Sequence, residues 1–136
     1  MDEPHRWKTI DDVIVSCTVP GRIPDSVWDA FLADIASKRP KHCLVLCLGR
    51  VEVDAAQRRR STLTVMRART EVVVLSDNRM TRGLAMAVAW FGAKLDVHAW
   101  PELERAIEEM DVAPSTRQQL LEEARRFHGS LGHIDR

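Results

Sequence analysis

Two short apolar runs dominate the hydrophobic pattern of the chain, LVLCL at 44–48 and VVVL at 72–75. Each run is too short for a helix of its own, and such runs are typical of strands buried on both faces of a sheet. We therefore predict central strands at 42–48 and 72–75 that lie side by side. The polar turns after them should meet at one edge of the sheet, where open α/β sheets place their binding surfaces.

Alternation of apolar and polar residues predicts three more strands. Residues 13–19 and 94–99 alternate with a period of two, as strands on a pleated sheet do. A weaker pattern at 6–11 indicates an edge strand, and Asp11 with Asp12 would form a short hairpin turn to the strand at 13–19. Together with the central pair, these segments predict a mixed sheet of about five strands.

The first two helices are predicted from helical spacing and from the residues that begin and end them. The first helix starts at 24–26, and Pro40 prevents its continuation. Its apolar face consists of Val27, Trp28, Phe31, Leu32 and Ile35. The second helix covers 55–69, and Asp54 with Gln57 three residues later predicts a capping box at its start.

Three further helices are predicted in the second half of the chain. After the strand at 72–75, helical spacing begins at Met80 and Gly92 supplies a stop. The apolar stripe of this third helix is Met80, Leu84, Ala87, Val88 and Phe91. A fourth helix starts at Pro101 with the stripe Leu103, Ala106, Ile107 and Met110. Pro114 breaks the chain, Ser115 with Gln118 predicts a second capping box, and the last helix, with Leu120, Leu121, Ala124 and Phe127 along one side, ends at Gly129.

These elements predict an α/β fold in one domain, with about five strands, four helices and an added C-terminal helix. Its parts are an N-terminal segment with an edge strand at 1–12, the α/β core at 13–112, the C-terminal helix at 113–129 and a tail at 130–136. A chain of 136 residues is the usual size of a single domain.

Composition narrows the choice of partners and compartment. Lysine plus arginine and aspartate plus glutamate both total 20, so the chain has no overall basic field for nucleic acid. We expect no nucleic-acid partner. No apolar run is long enough to cross a bilayer and the N-terminus has no secretory pattern, so we expect no membrane association and a cytoplasmic protein. The odd number of cysteines, at Cys17, Cys43 and Cys47, fits a reducing compartment.

The sequence contains no motif of a known reaction. The five histidines are scattered over different elements, without the spacing of metal ligands. Cys43 and Cys47 lie on the same face of one predicted strand but roughly 13 Å apart, which is too far for a shared metal ion or a disulfide. Glycine-rich phosphate loops and nucleophile elbows are missing. We therefore expect no enzyme activity, no cofactor and no metal.

Two predicted helix N-termini, after the two central strands, are the candidate binding regions. Their exposed N–H groups favour anions. The residues that we expect to bind a partner are Asp54, Gln57, Arg58, Asp77, Asn78, Arg79, Thr81 and Arg82. The arginine run at 58–60 is either a solvated helix face or a surface that docks an acidic partner.

The strand and helix VVVLSDNRMTRGLAMAVAWFG, together with LVLCLGRVEVDAAQ and the order of elements, resembles the STAS domain of anti-sigma-factor antagonists and the small bacterial STAS-like and SEC14-like proteins. In the antagonists, Asp-Ser-Ser precedes the second helix, and a partner kinase phosphorylates the first serine. This chain has Asp54, Ala55 and Ala56 there, so only Asp54 matches and the phosphorylation switch is missing.

The resemblance implies a non-enzymatic module for signalling or regulation. It would bind a protein partner, such as a kinase or another signalling regulator, through the loops and helix starts after the central strands. The alternative is a domain that binds a small ligand (an anion, a nucleotide or a lipid), or an enzyme, with its site at the turn of residues 77–82. A third reading is a homodimer that forms through the third helix, where Gly83 and Ala87 leave room for a close approach.

Overall fold

Two parallel strands, β4 (His42–Cys47) and β6 (Glu71–Leu75), lie side by side in the middle of a five-stranded mixed sheet. The structure is a computed structural model that describes residues 5–131. The pairing aligns Cys43 with Val72 and Leu46 with Leu75, so both strands end at the same edge. The predicted pair of central strands is therefore confirmed, as is the α/β class.

The other strands of this sheet also follow the sequence pattern. β1 (His5–Ile10) and β2 (Val13–Thr18) form the antiparallel hairpin, and Asp11 in its turn has a left-handed backbone with φ of 52°. β2 pairs in parallel with β4, and β7 (Leu95–His98) pairs in parallel with β6. The order β1-β2-β4-β6-β7 puts β1 and β7 at the two edges.

A second, smaller sheet was not predicted. β3 (Gly21–Arg22) and β5 (Val51–Glu52) form two parallel rungs, in the loops that follow β2 and β4. Two residues are too few to show a period, so the sequence carries no signal for them. This small sheet ties two loops together at the carboxyl edge of the main sheet.

Within residues 5–131, five helices cover the two faces of the main sheet. They are α1 (Asp25–Lys38), α2 (Ala55–Ala68), α3 (Arg79–Trp90), α4 (Leu103–Glu108) and α5 (Pro114–Leu131). One core joins α1, α2 and α3 to the face that carries Ile14, Cys43 and Val74. The other joins α4 and α5 to the face that carries Leu44 and Leu75. Alternate residues of each central strand thus belong to different cores, which explains why the runs are wholly apolar.

The predictions for the C-terminal part need three corrections. Pro114 does not break the chain but is the first residue of α5, a position that suits its fixed φ and missing N–H. Ser115 therefore lies inside the first turn and cannot cap it, and the Gln118 side chain donates to Glu122 instead. Gly129 does not end the helix, which runs through it to Leu131. Of the predicted tail, residues 132–136 lie outside the described residues.

Two of the five residues in the apolar stripe predicted for α3 do not lie in the core. Met80 and Phe91 are 57% and 77% exposed. The helix packs instead through Thr81, which is buried, and through Ala85 and Val88, which contact the core. These three positions follow the spacing i, i+4 and i+7 of one helix face. The face that meets the sheet is thus turned relative to the predicted one.

None of the helices in the described part of the chain is both long and apolar enough to cross a membrane.

Candidate functional site

The start of α2 has the predicted capping box. Asp54 Oδ1 accepts from the Gln57 backbone N–H at 2.8 Å, and Gln57 Oε1 accepts from the Asp54 N–H at 2.9 Å. Gln57 is fully buried, and its Nε2 also donates to the Ile23 carbonyl at 2.8 Å. Asp54 remains exposed at the surface, whereas Gln57 lies inside the protein and joins α2 to the segment before α1.

Asn78 caps α3. Its side-chain oxygen accepts from the Thr81 N–H at 3.0 Å, while the Ser76 hydroxyl accepts from the Asn78 N–H at 3.1 Å. Asp77 contributes to a different element, because its carboxylate accepts from the Trp100 N–H at 2.9 Å. Trp100 begins a 3-10 turn at 100–102 that precedes α4. The three polar residues that follow β6, Ser76, Asp77 and Asn78, thus serve two helical elements.

The Thr81 hydroxyl joins the two loops at the carboxyl edge. It donates to the Gly49 carbonyl at 3.0 Å and accepts from the Val51 N–H at 3.0 Å. Thr81 is 5% exposed, so both bonds are shielded from water. The prediction that the turns after β4 and β6 lie together is therefore confirmed, and the buried Thr81 hydroxyl connects them.

Most of the expected binding residues have hydrogen bonds within the fold. Arg58 is half-buried and donates from Nη1 to the Val53 carbonyl at 2.7 Å. Six of the eight thus have side-chain bonds: Asp54, Gln57, Arg58, Asp77, Asn78 and Thr81. Arg79 is exposed and Arg82 half-buried, at the start of α3. These two arginines have no side-chain partner recorded among residues 5–131.

The exposed faces of α2 and α3, which we expect to take part in binding together with the loops, carry hydrophobic side chains that the sequence did not single out. Among the described residues, every large hydrophobic side chain that is exposed belongs to these two helices or to the residue that ends α3. We call this set the apolar patch: Leu63, Met66, Met80, Met86, Trp90 and Phe91. Trp90 is the most exposed, at 87%. Isolated exposed hydrophobics are common in folded proteins, but here five lie on two neighbouring helices and the sixth directly follows α3.

Two contacts show how the apolar patch is built. The Met66 side chain reaches from α2 to the turn that ends α3, where its Cε lies 3.2 Å from the place that a Cβ on Gly92 would occupy. Gly92 has φ of 109°, so glycine suits this turn for its backbone as well. On the other side of α3, Met86 and Trp90 border a groove along the edge strand β7. The patch therefore spans α3 from α2 to the sheet edge.

The charge around the apolar patch is positive. Neither α2 nor α3 contains an acidic residue, and seven arginines lie between 55 and 92: Arg58, Arg59, Arg60, Arg67, Arg69, Arg79 and Arg82. Arg60 is paired with Asp25 and Asp29 of α1. The acidic residues in and beside this region are Asp54, Glu71, Asp77 and Asp96. This region is basic although the whole chain is neutral, because the acidic residues are concentrated elsewhere.

The three cysteine thiols are buried and unpaired. Burial raises the pKa of the Cys43 and Cys47 thiols to about 12 and that of Cys17 to about 11, so all three are protonated at neutral pH. A protonated thiol is a poor nucleophile. Within residues 5–131, no three side chains of histidine, cysteine, aspartate or glutamate come together in a way that could hold a metal ion.

Comparison with known proteins identifies no relative, since no family model, curated protein or solved structure matches the chain.

Proposed function

We propose that this protein is a non-enzymatic regulatory or scaffolding module that binds a partner protein through the apolar patch. The observation that carries the proposal is the exposure of Met86, Trp90 and Phe91 on a helix with no charged or polar residue from 83 to 93. A helix that is apolar all round is normally buried, and leaving it in water costs free energy. A bound partner would cover this face.

The residue types favour a protein partner over a lipid surface. The centres of protein interfaces are enriched in tryptophan, phenylalanine, methionine and arginine, and they are poor in lysine. All basic residues from 55 to 92 are arginines, and the patch consists of leucine, methionine and aromatic side chains. Methionine is also common at surfaces that bind helices, since its flexible side chain adapts to different shapes.

The partner segment that fits this surface is an acidic amphipathic helix. Its apolar face would cover Trp90 and Met86 in the groove beside β7, in the same way that such helices bind grooves elsewhere. Its carboxylates would face Arg79 and Arg82, which lie on the first turn of α3. Arginine binds a carboxylate through two parallel hydrogen bonds, so these residues would fix the orientation of the helix.

The STAS resemblance and the cytoplasmic location belong to this proposal. A STAS-like module binds its regulator through the surface after the central strands, and α3 begins there. Cys17, Cys43 and Cys47 are all unpaired, which suits a reducing compartment. Binding of a small ligand at the turn of residues 77–82 is the weaker alternative, because Asp77, Asn78 and Thr81 already bond to the backbone.

Site-specific photo-crosslinking tests the proposal in the cells that make the protein. One variant carries the crosslinker at Trp90, and the control carries it at Gln119, which is exposed on α5 on the other side of the sheet. We expect a protein adduct only from position 90, with the crosslinked peptide in an acidic amphipathic helix. That helix, made as a peptide, should bind the wild type at least tenfold more tightly than it binds Trp90→Ser or Arg79→Glu.

Other outcomes would contradict the proposal in different ways. Adducts of the protein with itself, together with a dimer in sedimentation that Trp90→Ser dissociates, would identify a second copy as the occupant. Binding to anionic vesicles that depends on Trp90 would identify a membrane surface instead. Equal adducts from positions 90 and 119 would show that α3 has no special role. Because Trp90 is 87% exposed, its replacement should leave the fold intact.

A further inference from the structure

A cavity lies on the inner side of α3, away from the apolar patch. It has a volume of about 110 Å³ and is lined by the sheet and by helices α1, α2 and α3. The sheet contributes Cys43, Val45 and Val74, and α1 contributes Phe31 and Leu32. The walls are almost entirely hydrocarbon, and cavities of this kind stay free of water and accept apolar molecules.

The sequence explains why the space is empty. Where α1 points tryptophan and phenylalanine at the sheet, most of the residues that α2 and α3 contribute are smaller: Ser61, Val65, Thr81, Ala85 and Val88, beside Arg58 and Leu84. Most of the facing strand positions are valine or cysteine, with Leu95 at the edge strand. The Ser61 hydroxyl is already engaged, since it accepts from Trp28 Nε1 at 2.9 Å and donates to the Gln57 carbonyl at 2.8 Å. It therefore offers little to a polar ligand.

Arg58 is the one charged residue among those that line the cavity within the described part of the chain. Its guanidinium carries five N–H donors, and the bond from Nη1 to the Val53 carbonyl uses one of them. No carboxylate within the described residues is paired with it. A half-buried cation next to a hydrocarbon wall is suited to a ligand with an anionic end and an apolar end.

We propose that this cavity binds a small monocarboxylate, with the hydrocarbon part inside and the carboxylate on Arg58. The hydrocarbon part is a short aliphatic chain, since the cavity of about 110 Å³ is smaller than the engineered cavity of about 150 Å³ that accepts benzene. This site is independent of the partner surface: it uses the inner face of α3, whereas the apolar patch lies on the outer face.

Calorimetric titration of the purified full chain with hexanoate, 1-hexanol and hexylamine tests the site. These probes share one tail and differ in charge. We expect saturable binding of hexanoate at one site per chain, weaker binding of hexanol, and at least tenfold weaker binding of hexylamine. Arg58→Gln should weaken hexanoate about tenfold, which corresponds to about 1.4 kcal/mol, and leave hexanol unchanged, because only the carboxylate bonds to the guanidinium.

Two further variants separate this cavity from other places on the surface. Ala85→Leu puts a larger side chain into the cavity and should weaken both hexanoate and hexanol at least tenfold. If it does not fold, Val88→Ile makes a smaller change in the same wall and should weaken both about threefold. The matched control is Arg105→Gln, which removes an exposed arginine from α4 across the sheet and should change nothing.

The proposal is overturned if hexanoate shows no saturable binding to the wild type. It is also overturned if the cavity variants bind hexanoate as the wild type does, or if hexylamine binds as tightly as hexanoate. Failure here leaves the partner surface untouched, since Trp90 and Arg79 do not line the cavity.

Discussion

Gln57 shows how one residue can fit a sequence pattern and still have an unexpected role. The spacing from Asp54 predicted its capping bond correctly. It did not show that the same side chain is fully buried and bonded to Ile23, which lies far away along the chain. Long-range partners of this kind leave no local signal. A binding role for Gln57 requires an exposed side chain, and the sequence could not show whether the side chain is exposed.

His5 is a buried titratable residue that should make stability depend on pH. Its ring lies against Trp7, Trp28 and Phe31, with centroids 4.5–5.6 Å away, and Nδ1 bonds to the Thr18 hydroxyl at 2.9 Å. Burial lowers the pKa of His5 from its ordinary value of 6.5 to about 4. Between these values the unfolded chain binds a proton that the folded chain does not.

We expect this residue to weaken the fold in acid. Stability rises with pH wherever the unfolded state holds more protons, so the His5 contribution is complete above pH 6.5 and is lost as the pH falls to about 4. The full loss amounts to about 3 kcal/mol. Urea denaturation from pH 7 to 4 measures it. His5→Leu should show a shallower pH dependence over that range, and identical slopes would contradict the assignment.

At the scale of elements, periodicity located α3 but could not orient it. Residues 83–93 are apolar on all sides, so more than one stripe can be drawn along the helix. The orientation comes from Thr81, whose hydroxyl bonds to the loop after β4 and places Ala85 and Val88 toward the sheet. The polar residue Thr81 at the helix start therefore determines which apolar residues of α3 face the sheet and which are exposed to solvent.

Replacing Thr81 tests this role. Thr81→Val keeps the shape but removes both bonds, leaving the buried Val51 N–H and the half-buried Gly49 carbonyl unpaired. We expect a loss of about 2–4 kcal/mol in the free energy of unfolding, since an unsatisfied buried group costs about 1–3 kcal/mol. Faster hydrogen exchange at Val51 should accompany it. Thr64→Val, at a half-buried position of α2, is the control and should cost far less.

The whole molecule is the scale at which the sequence was most informative. The two apolar runs predicted the central strands and their parallel pairing, because only strands covered on both faces are apolar throughout. The small β3–β5 sheet and the exposed side chains of the apolar patch were not predicted. Both depend on how loops and helices pack against each other. This packing is determined by residues that are far apart in the sequence.

A substitution in the central strands should therefore affect the entire fold. Leu44 is fully buried in the core under α4 and α5, next to Cys43 in the opposite core. We expect Leu44→Ala to lower the free energy of unfolding by about 2–5 kcal/mol, in one cooperative transition. Tryptophan fluorescence and far-ultraviolet circular dichroism should give the same midpoint in urea.

The control for this experiment comes from the surface. Leu63 is 47% exposed on α2, so Leu63→Ala should cost well under 1 kcal/mol. Separate midpoints from the two probes for Leu44→Ala would show instead that the two faces of the sheet unfold independently.

One helix, α3, has an outer face in the apolar patch and an inner face in the wall of the cavity. A partner bound on the outer face and a ligand bound on the inner face would therefore both contact α3. Thermodynamic linkage makes any such influence mutual: a carboxylate that strengthens docking by some factor must itself be held more tightly by that factor when the partner is docked. The protein would then report the level of a small metabolite as a change in its assembly.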